Sequence, residues 1–203
     1  GTMDRAGAET MVMNLYRAID RTKFQFDFIY FTNKKGDYDD EIEKLGGKIY
    51  HVFAKNPINR MNELTALLKQ NPQWEIVHAH TLFSNAFHIY AAYRAGVKKR
   101  IAHSHNTSDK SKKGIVSLFY QKISRKIQSK YATDFVACGE AAGKFLFPKE
   151  ENILMIPNSI DTKLFVDAAT NSKFLLKKEL LLNEDTLVLL QLGRLCKVKN
   201  HVF

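Results

Sequence analysis

The chain has 203 residues, of which 45% are hydrophobic and 26% are charged, with a net charge of +10. This composition is typical of a globular domain, and no apolar run approaches the roughly 18 residues of a membrane span. Cys138 and Cys196 match no disulfide or metal spacing, which indicates a reduced, cytoplasmic setting. The positive charge is compatible with nucleic acid, an anionic membrane surface or phosphorylated substrates.

The first half of the chain alternates between helical and strand patterns. We expect a helix over Ala8–Ile19, a strand over Phe24–Phe31, a helix over Tyr38–Leu45, a strand over Lys48–Val52 and a helix over Asn56–Asn71. The alternation predicts the α/β class with a mainly parallel sheet. The loop before the first helix, Gly1–Gly7, follows no strand, so we expect that an amino-terminal strand has been removed.

Two His-x-His pairs end the strands of a central βαβ pattern, Glu75–Asn106. Parallel strands end at the same edge of a sheet, where ligands of open α/β sheets bind. The four imidazoles could bind zinc, or one could act as an acid/base or hydrogen-bond donor beside a substrate. Packing within the strand ends is favoured for the first histidine of each pair. The histidines are His78, His80, His103 and His105.

A basic and amphipathic segment, Lys110–Lys130, follows the second pair. Its cations alternate with apolar residues such as Ile115, Val116 and Phe119, which predicts a helix packed on one side rather than a nucleic-acid-binding arm. A solvated helix face is the alternative. A long helix is expected over Gly114–Lys130.

The remainder of the chain predicts further α/β elements and then an incomplete motif. We expect a strand over Asp134–Cys138, a helix over Glu140–Phe147 and a strand over Asn152–Ile156. A connection over Ile156–Phe165, a helix over Lys173–Leu182 and an apolar strand over Leu187–Leu192 follow. Arg194 and Lys199 follow the last strand. A planar guanidinium and a point charge suit a diphosphate, although a basic surface loop explains them equally well.

Four motifs in order carry a resemblance to a known family: Arg5–Glu9, Ala102–Asn106, Ile156–Asp161 with Phe165, and Gly193–Leu195 with Lys199–His201. Together they resemble family 4 glycosyltransferases of the GT-B fold, most closely bacterial exopolysaccharide and capsule enzymes of the EpsF type. The resemblance implies a Rossmann-like, doubly wound domain, residues 1–165, as the amino-terminal half of a GT-B fold. Residues 166–203 would begin the carboxyl-terminal nucleotide-sugar-binding domain.

The resemblance also implies an activity and roles for individual residues. The family transfers a sugar from a nucleotide-sugar donor with retention of configuration, generally without a bound metal. His105 would assist catalysis beside the donor sugar, Gly7 would approach the donor diphosphate, and Arg194 with Lys199 would neutralise the leaving group. The acceptor would be a lipid-linked saccharide, and Lys110–Lys130 would contact the inner face of the membrane. Asn158 and Asp161 would belong to the interdomain linker.

Several positions depart from the family pattern. Ala6 and Ser159 stand where the family commonly has glycine, and both a first strand and most of a carboxyl-terminal domain are missing. We therefore expect this chain alone to be inactive. A vacancy left by the first strand would be filled by Leu187–Leu192, from its own chain or from a neighbour in a strand-swapped oligomer.

Other function classes remain open at the level of sequence. One is a zinc hydrolase that uses the four histidines, and another is a non-catalytic basic α/β module that binds nucleic acid. A nucleotide-sugar epimerase is a related possibility within the GT-B fold. The order of the four motifs favours the transferase, with no nucleic-acid partner and no metal.

Overall fold

The computed structural model describes residues 1–109, 114–171, 175–183 and 185–191. The chain divides into two compact units, Gly1–Ile160 and Asp161–Phe203. The strands are β1 (Phe28–Tyr30), β2 (Ile49–His51), β3 (Ile76–Ala79), β4 (Lys99–Ser104), β5 (Asp134–Ala137) and β6 (Ile153–Met155). The helices of the first unit are α1 (Gly7–Ala18), α2 (Asp39–Lys44), α3 (Pro57–Gln70), α4 (Asn85–Ala95), α5 (Ile115–Tyr131) and α6 (Glu140–Leu146).

All strand pairs of the first unit are parallel, which confirms the α/β prediction. Strands β1 and β2 form one sheet, and β3, β4, β5 and β6 form a second sheet in that order. Helix α4 connects β3 to β4 and packs against α3 and α5. Because all four strands of the second sheet run the same way, their carboxyl ends lie along one edge.

Three apolar clusters form the interior of the first unit. One surrounds β1 and contains the fully buried Tyr16 and Ile42; a second lies between α3 and α4; and a third joins β4 to α6 through Ala102 and Leu146. Gly47 is required in the first cluster, since a Cβ there would lie 2.7 Å from the Phe26 carbonyl oxygen and 2.9 Å from the Tyr16 hydroxyl. The cluster between α3 and α4 also contacts Ile29 of β1 and Val77 of β3, so it joins the two sheets.

Local sequence signals account for several helix ends. The Asn56 side chain caps α3 by accepting a hydrogen bond of 2.8 Å from the Asn59 N–H, and Pro57 occupies the first helical position. Helix α4 ends at Gly96, whose φ of 83° lies in the left-handed region that favours glycine. These signals fix the orientation of the two helices that lie beside β3 and β4.

Two predicted elements are wrong in the second unit. The connection predicted over Ile156–Phe165 ends early, because Thr162–Phe165 belong to the helix α7 (Thr162–Asn171), which is followed by α8 (Leu175–Glu179). The segment expected as an apolar strand is not in a strand over residues 187–191, and Leu187, Leu189 and Leu190 are 82%, 85% and 71% exposed. High β propensity without a neighbouring strand supplies no hydrogen-bond partners, so this segment does not enter a sheet of its own chain. Leu192 lies outside the described residues, and strand exchange with a second chain stays a prediction.

Two further expectations change in the first unit. The strand predicted over Phe24–Phe31 is limited to β1, since Asp27 instead uses its carboxylate to accept from the Lys48 N–H and the Trp74 Nε1–H. Helix α5 packs on one side as predicted, against α4, but Ile115, Val116 and Phe119 lie off that side and are 88%, 83% and 63% exposed. The helix instead buries Ser124 and Gln128.

Candidate active site

The two His-x-His pairs meet at the carboxyl edge of the four-stranded sheet. In the parallel register of β3 and β4, His78 lies opposite Ile101 and Ala79 opposite Ala102. Alternate residues of a strand share one face, so each pair points to the same side of the sheet. His78 and His80 therefore lie beside His103 and His105, as the strand pattern predicted.

The four imidazoles form a two-by-two arrangement, the histidine array. Across the strands, His78 Nε2 lies 3.1 Å from His103 Nδ1, and His80 Nδ1 lies 2.9 Å from His105 Nε2. Along the strands the rings lie one above the other, with centroids 4.2 Å apart for the tilted pair His78 and His80 and 4.1 Å apart for the stacked pair His103 and His105. The array therefore consists of two hydrogen-bonded pairs stacked on each other.

The cross-strand pairs meet edge to edge. Their ring centroids are 5.1 and 5.2 Å apart and their planes differ by only 11° and 25°. With the facing nitrogens about 3 Å apart, such a centroid separation places the two rings of each pair nearly in one plane. One nitrogen of each facing pair must carry the proton and the other must accept it.

Burial keeps the histidine array neutral at physiological pH. Desolvation, followed by the charges of His105 and His78, lowers the pKa of His103 to about 3, and desolvation also lowers the pKa of His105. Desolvation also lowers the pKa of His78 to about 4, but His78 is exposed, so its environment favours the neutral form less firmly than that of the buried His103. The pKa of His80 falls well below its ordinary value, first by burial and then by the other three histidines. Neutral imidazoles can each offer one N–H and one lone pair.

Asn85 holds the two strand ends together and was missed by sequence reasoning. It is fully buried at the start of α4. Its Oδ1 accepts from the Thr81 backbone N–H at 2.6 Å and from the Thr81 hydroxyl at 3.0 Å, while its Nδ2 donates to the His103 carbonyl oxygen at 3.4 Å. Asn85 thus links the residue after His80 to β4. An asparagine at a helix start, seven residues after a strand histidine, was the available signal.

The backbone after β4 is tied to the neighbouring strand as well. The fully buried Ser104 hydroxyl donates to the Ala142 carbonyl oxygen at 2.7 Å, and the Ser104 carbonyl accepts from the Cys138 N–H at 3.0 Å. The Cys138 thiol lies 3.7 Å from the His105 carbonyl oxygen. His105 is therefore held through its backbone by β5 and through its ring by His80.

Three members of the array have ring nitrogens close enough to share an ion. Ligand atoms of His78, His80 and His103 lie within 4.8 Å of one another, and this group contains no carboxylate among the described residues. In each cross-strand pair, however, a proton lies between the two facing nitrogens. Zinc binding would require these protons to be displaced and the lone pairs of the three rings to converge on one point.

An open cavity of about 600 Å³ begins directly after His80. It lies between the Thr81–Ser84 turn and the first turns of α5, and its wall contains hydroxyl, carboxyl and aromatic groups. Leu82 in this turn has a φ of 55°, a left-handed conformation that is uncommon for leucine. The lining residues are Thr81, Leu82, Phe83, Ser84, Asp109, Gly114, Val116, Ser117 and Tyr120.

The remaining predicted site residues lie elsewhere in the chain. Gly7 is the first residue of α1, is exposed, and has no atom within 4 Å of the position a Cβ would occupy. The preceding residue, Ala6, offers no side-chain cap to the free N–H groups at this end of the helix. Arg194 and Lys199 lie outside the described residues.

The comparisons with known proteins agree with the motif order. Residues 5–164 match the profile of Glycosyltransferase Family 4. The chain belongs to this family. It is 39% identical over 99% of its length to the putative glycosyltransferase EpsF of Bacillus subtilis (strain 168), and 30% identical over 63% of its length to the capsular polysaccharide biosynthesis glycosyltransferase CapH of Staphylococcus aureus. It spans 54% of the first relative and 33% of the second.

Solved structures support the fold assignment. The chain resembles Anabaena Alr3699/HepE in complex with UDP, with a TM-score of 0.62 at 13% identity over 86% of this chain and 49% of that one. The complex of the same Anabaena protein with UDP and glucose gives a TM-score of 0.57 over the same shares. At this identity the likeness establishes the fold, which is the GT-B half expected from the sequence.

Proposed function

We propose that the protein containing this chain transfers a sugar from a nucleotide-sugar donor to a saccharide acceptor during the synthesis of a surface polysaccharide. Membership in Glycosyltransferase Family 4 and the likeness to EpsF and CapH support this reaction class over a zinc hydrolase or a nucleic-acid-binding module. The observation that carries the proposal is the neutral imidazole of His105, held at the carboxyl edge of the sheet in a chain of this family.

The donor is proposed to be a nucleotide diphosphate sugar. The Anabaena protein of similar fold binds UDP and glucose in its crystal structure. In this chain, the uncapped N–H groups at the start of α1 are suited to the negative charge of a diphosphate, and Gly7 leaves space for its close approach. Arg194 and Lys199 would add fixed cations that stabilise the leaving diphosphate, so the reaction would need no resident metal.

His105 is proposed as the catalytic residue beside the transferred sugar, with retention of anomeric configuration. A neutral imidazole can accept a hydrogen bond from a sugar hydroxyl or donate one to it, without placing a positive charge beside an electron-poor anomeric carbon. The chain alone would be inactive, because it spans about half the length of EpsF and the family distributes its site over two domains.

The acceptor is proposed to be a lipid-linked saccharide at the inner face of the cell membrane, which places the protein in the cytoplasm. No helix in the described part of the chain is long and apolar enough to cross a bilayer. Contact with the membrane would instead use the docking face of α5, defined as exposed Ile115, Val116, Leu118 and Phe119 with Lys122 and Lys126. Apolar side chains beside lysines suit an anionic lipid surface.

The test is sugar transfer by the full-length protein and by its His105→Asn variant. Nucleotide-sugar donors would be supplied with a lipid-linked saccharide, and product would be detected by mass together with nucleotide release. We expect kcat/KM to fall by about 100-fold or more in the variant, which is the lower end of the range for loss of an acid/base group. His51→Asn is the matched control, since His51 is exposed at the end of β2 and lies outside the array.

The result that contradicts the proposal is equally specific. A His105→Asn enzyme with the same kcat/KM as the wild type would remove His105 from the catalytic site. Absence of transfer from every nucleotide-sugar by the folded, full-length wild-type protein would contradict the reaction class. Inversion at the anomeric carbon of the product would contradict retention alone.

A further inference from the structure

We propose that His80 is a positioning residue for His105. It accepts a hydrogen bond from the Nε2–H of His105, fixes the plane of that ring and leaves Nδ1 of His105 as a bare lone pair. The inference rests on the proposed function only in so far as it links the tautomer of His105 to sugar transfer. The tautomer itself follows from the geometry of the histidine array.

The first step is the hydrogen bond between the two rings. His80 Nδ1 and His105 Nε2 are 2.9 Å apart, and the ring planes differ by 25°. A facing pair of ring nitrogens at this distance shares one proton in the neutral state. Either His80 donates from Nδ1 or His105 donates from Nε2, and the two arrangements place the remaining protons on different atoms.

The outer ring nitrogens, those that do not face the partner ring, identify which histidine is the donor. If His80 donated, the proton of His105 would be on Nδ1, which is buried and has no hydrogen-bond partner. A buried N–H without an acceptor is rarer in proteins than an under-used acceptor. If His105 donates from Nε2, its buried Nδ1 carries only a lone pair. The proton of His80 then lies on Nε2, which is not among the described buried atoms that lack a partner.

The other cross-strand pair leads independently to the same direction. His103 Nδ1 faces His78 Nε2 at 3.1 Å, and the second nitrogen of His103, Nε2, is also buried without a partner. Because a proton on this Nε2 would have no acceptor, His103 is the donor from Nδ1 and His78 is the acceptor. His103 and His105, at the end of β4, therefore donate to His78 and His80, at the end of β3, and both donors keep a bare outer nitrogen.

The consequence for the reaction is that His105 acts as a hydrogen-bond acceptor and not as a proton donor. Nδ1 is its ring nitrogen without a partner, so a sugar hydroxyl that enters the site and displaces the covering side chains would donate to it. His80 controls this capacity without touching the substrate. Asn85 fixes the backbone directly after His80, because it binds both Thr81 and the His103 carbonyl.

The tautomer can be measured in this chain without any assay of transfer. In ¹⁵N-histidine NMR spectra at neutral pH, we expect His105 to carry its proton on Nε2 and to show a bare Nδ1. In His80→Leu the acceptor is lost and we expect a mixed population of tautomers at His105. In His80→Asn the Oδ1 atom stands close to the former Nδ1 position, so the wild-type tautomer should return.

His78→Leu is the matched control, because His78 occupies the same face of β3 but pairs with His103. It should leave the tautomer of His105 unchanged. A wild-type spectrum with the proton of His105 on Nδ1 overturns the proposal, and this result needs no variant to fold. Unchanged tautomer populations at His105 in a folded His80→Leu variant overturn it as well.

Kinetics of the full-length protein separate this inference from the proposed function. We expect kcat to fall about 10-fold in His80→Leu with the donor KM unchanged, and to recover in His80→Asn. If His105→Asn abolishes transfer while His80→Leu keeps the wild-type kcat, the positioning role fails and the proposed function stands. If His105→Asn is fully active, the catalytic role of His105 fails, whereas the tautomer measurement still decides the hydrogen-bond direction.

Discussion

The histidine array and the docking face of α5 depart in opposite directions from the usual sorting of side chains. In the array, polar rings are hydrogen-bonded in pairs, and His103 is fully buried. On the docking face, Ile115 and Val116 are 88% and 83% exposed, while the same helix buries Ser124 and Gln128. Buried polar groups carry a cost unless they are satisfied, and a contiguous exposed apolar surface marks a contact site.

The two regions differ in whether their groups find interaction partners within the protein. The array finds its partners within the chain, through Asn85, Ser104 and the cross-strand hydrogen bonds. Substitutions in the array should therefore change the free energy of unfolding. The docking face has no comparable internal partners for its apolar groups among the described residues, so its properties should appear only when a membrane is supplied.

The largest expected effect on stability is that of Asn85→Ala. The substitution leaves the Thr81 N–H without its acceptor and removes a fully buried side chain. We expect the free energy of unfolding to fall by about 3 kcal/mol in urea titrations. Asn62→Ala is the control: this exposed asparagine accepts from Arg94 at 2.7 Å, and its loss should change stability by less than about 0.5 kcal/mol. Equal effects of the two variants would show that Asn85 does not hold the strand ends.

Membrane affinity is expected to change by a smaller amount when charge is removed from the docking face. Neutralising Lys122 and Lys126 to Gln removes two exposed cations, each of which contributes about 1 kcal/mol near an anionic surface. Binding to phosphatidylserine-containing vesicles should weaken by about 30-fold, with unfolding unchanged. Lys69→Gln on α3 supplies a control of similar exposure. If Lys69→Gln weakened vesicle binding as much as the change of the α5 lysines, net charge alone would explain the attraction and the docking face would have no specific role.

A gradual loss of stability is expected as the pH falls, and for one histidine the change over any single pH unit is smaller than the effect of Asn85→Ala. The pKa of His103 is about 3 in the fold against an ordinary value of 6.5, so between these limits the unfolded chain binds the proton and the folded chain does not. Stability is thus complete above about pH 6.5 and is lost toward acid, by up to about 1.4 kcal/mol per pH unit for each buried neutral histidine.

Chemical unfolding at several pH values measures this slope. His103→Asn should reduce the slope of stability against pH by the contribution of one histidine. The Asn side chain can still donate a hydrogen bond toward His78, but it does not titrate. A slope that is the same in the variant would mean that His103 is protonated to the same extent in both states.

Sequence patterns predicted the fold well where a periodic segment was long and had an element of the fold on either side of it in the chain. The helix expected over Asn56–Asn71 is present as α3, with its asparagine cap and its proline at the first position. The strand predicted over Leu187–Leu192 is not formed over residues 187–191 despite their strong β propensity, since a strand exists only when another strand offers hydrogen bonds. Thr162–Asn171 was missed because its short amphipathic pattern follows a proline- and asparagine-bearing stretch typical of a connection.

The sequence by itself determined that two His-x-His pairs would arrive at one sheet edge, because the side-chain period of two and the parallel βαβ connection leave no other outcome. Only the tertiary structure decided which imidazoles face each other: the backbone register pairs His78 with Ile101, whereas its ring faces that of His103, two residues further along the chain. The same holds for α5: its amphipathic pattern was evident, but the side that faces the protein is set by the groups it meets there. Phe83 presents a backbone carbonyl oxygen to Ser124, and a hydroxyl satisfies that oxygen where an apolar side chain would not.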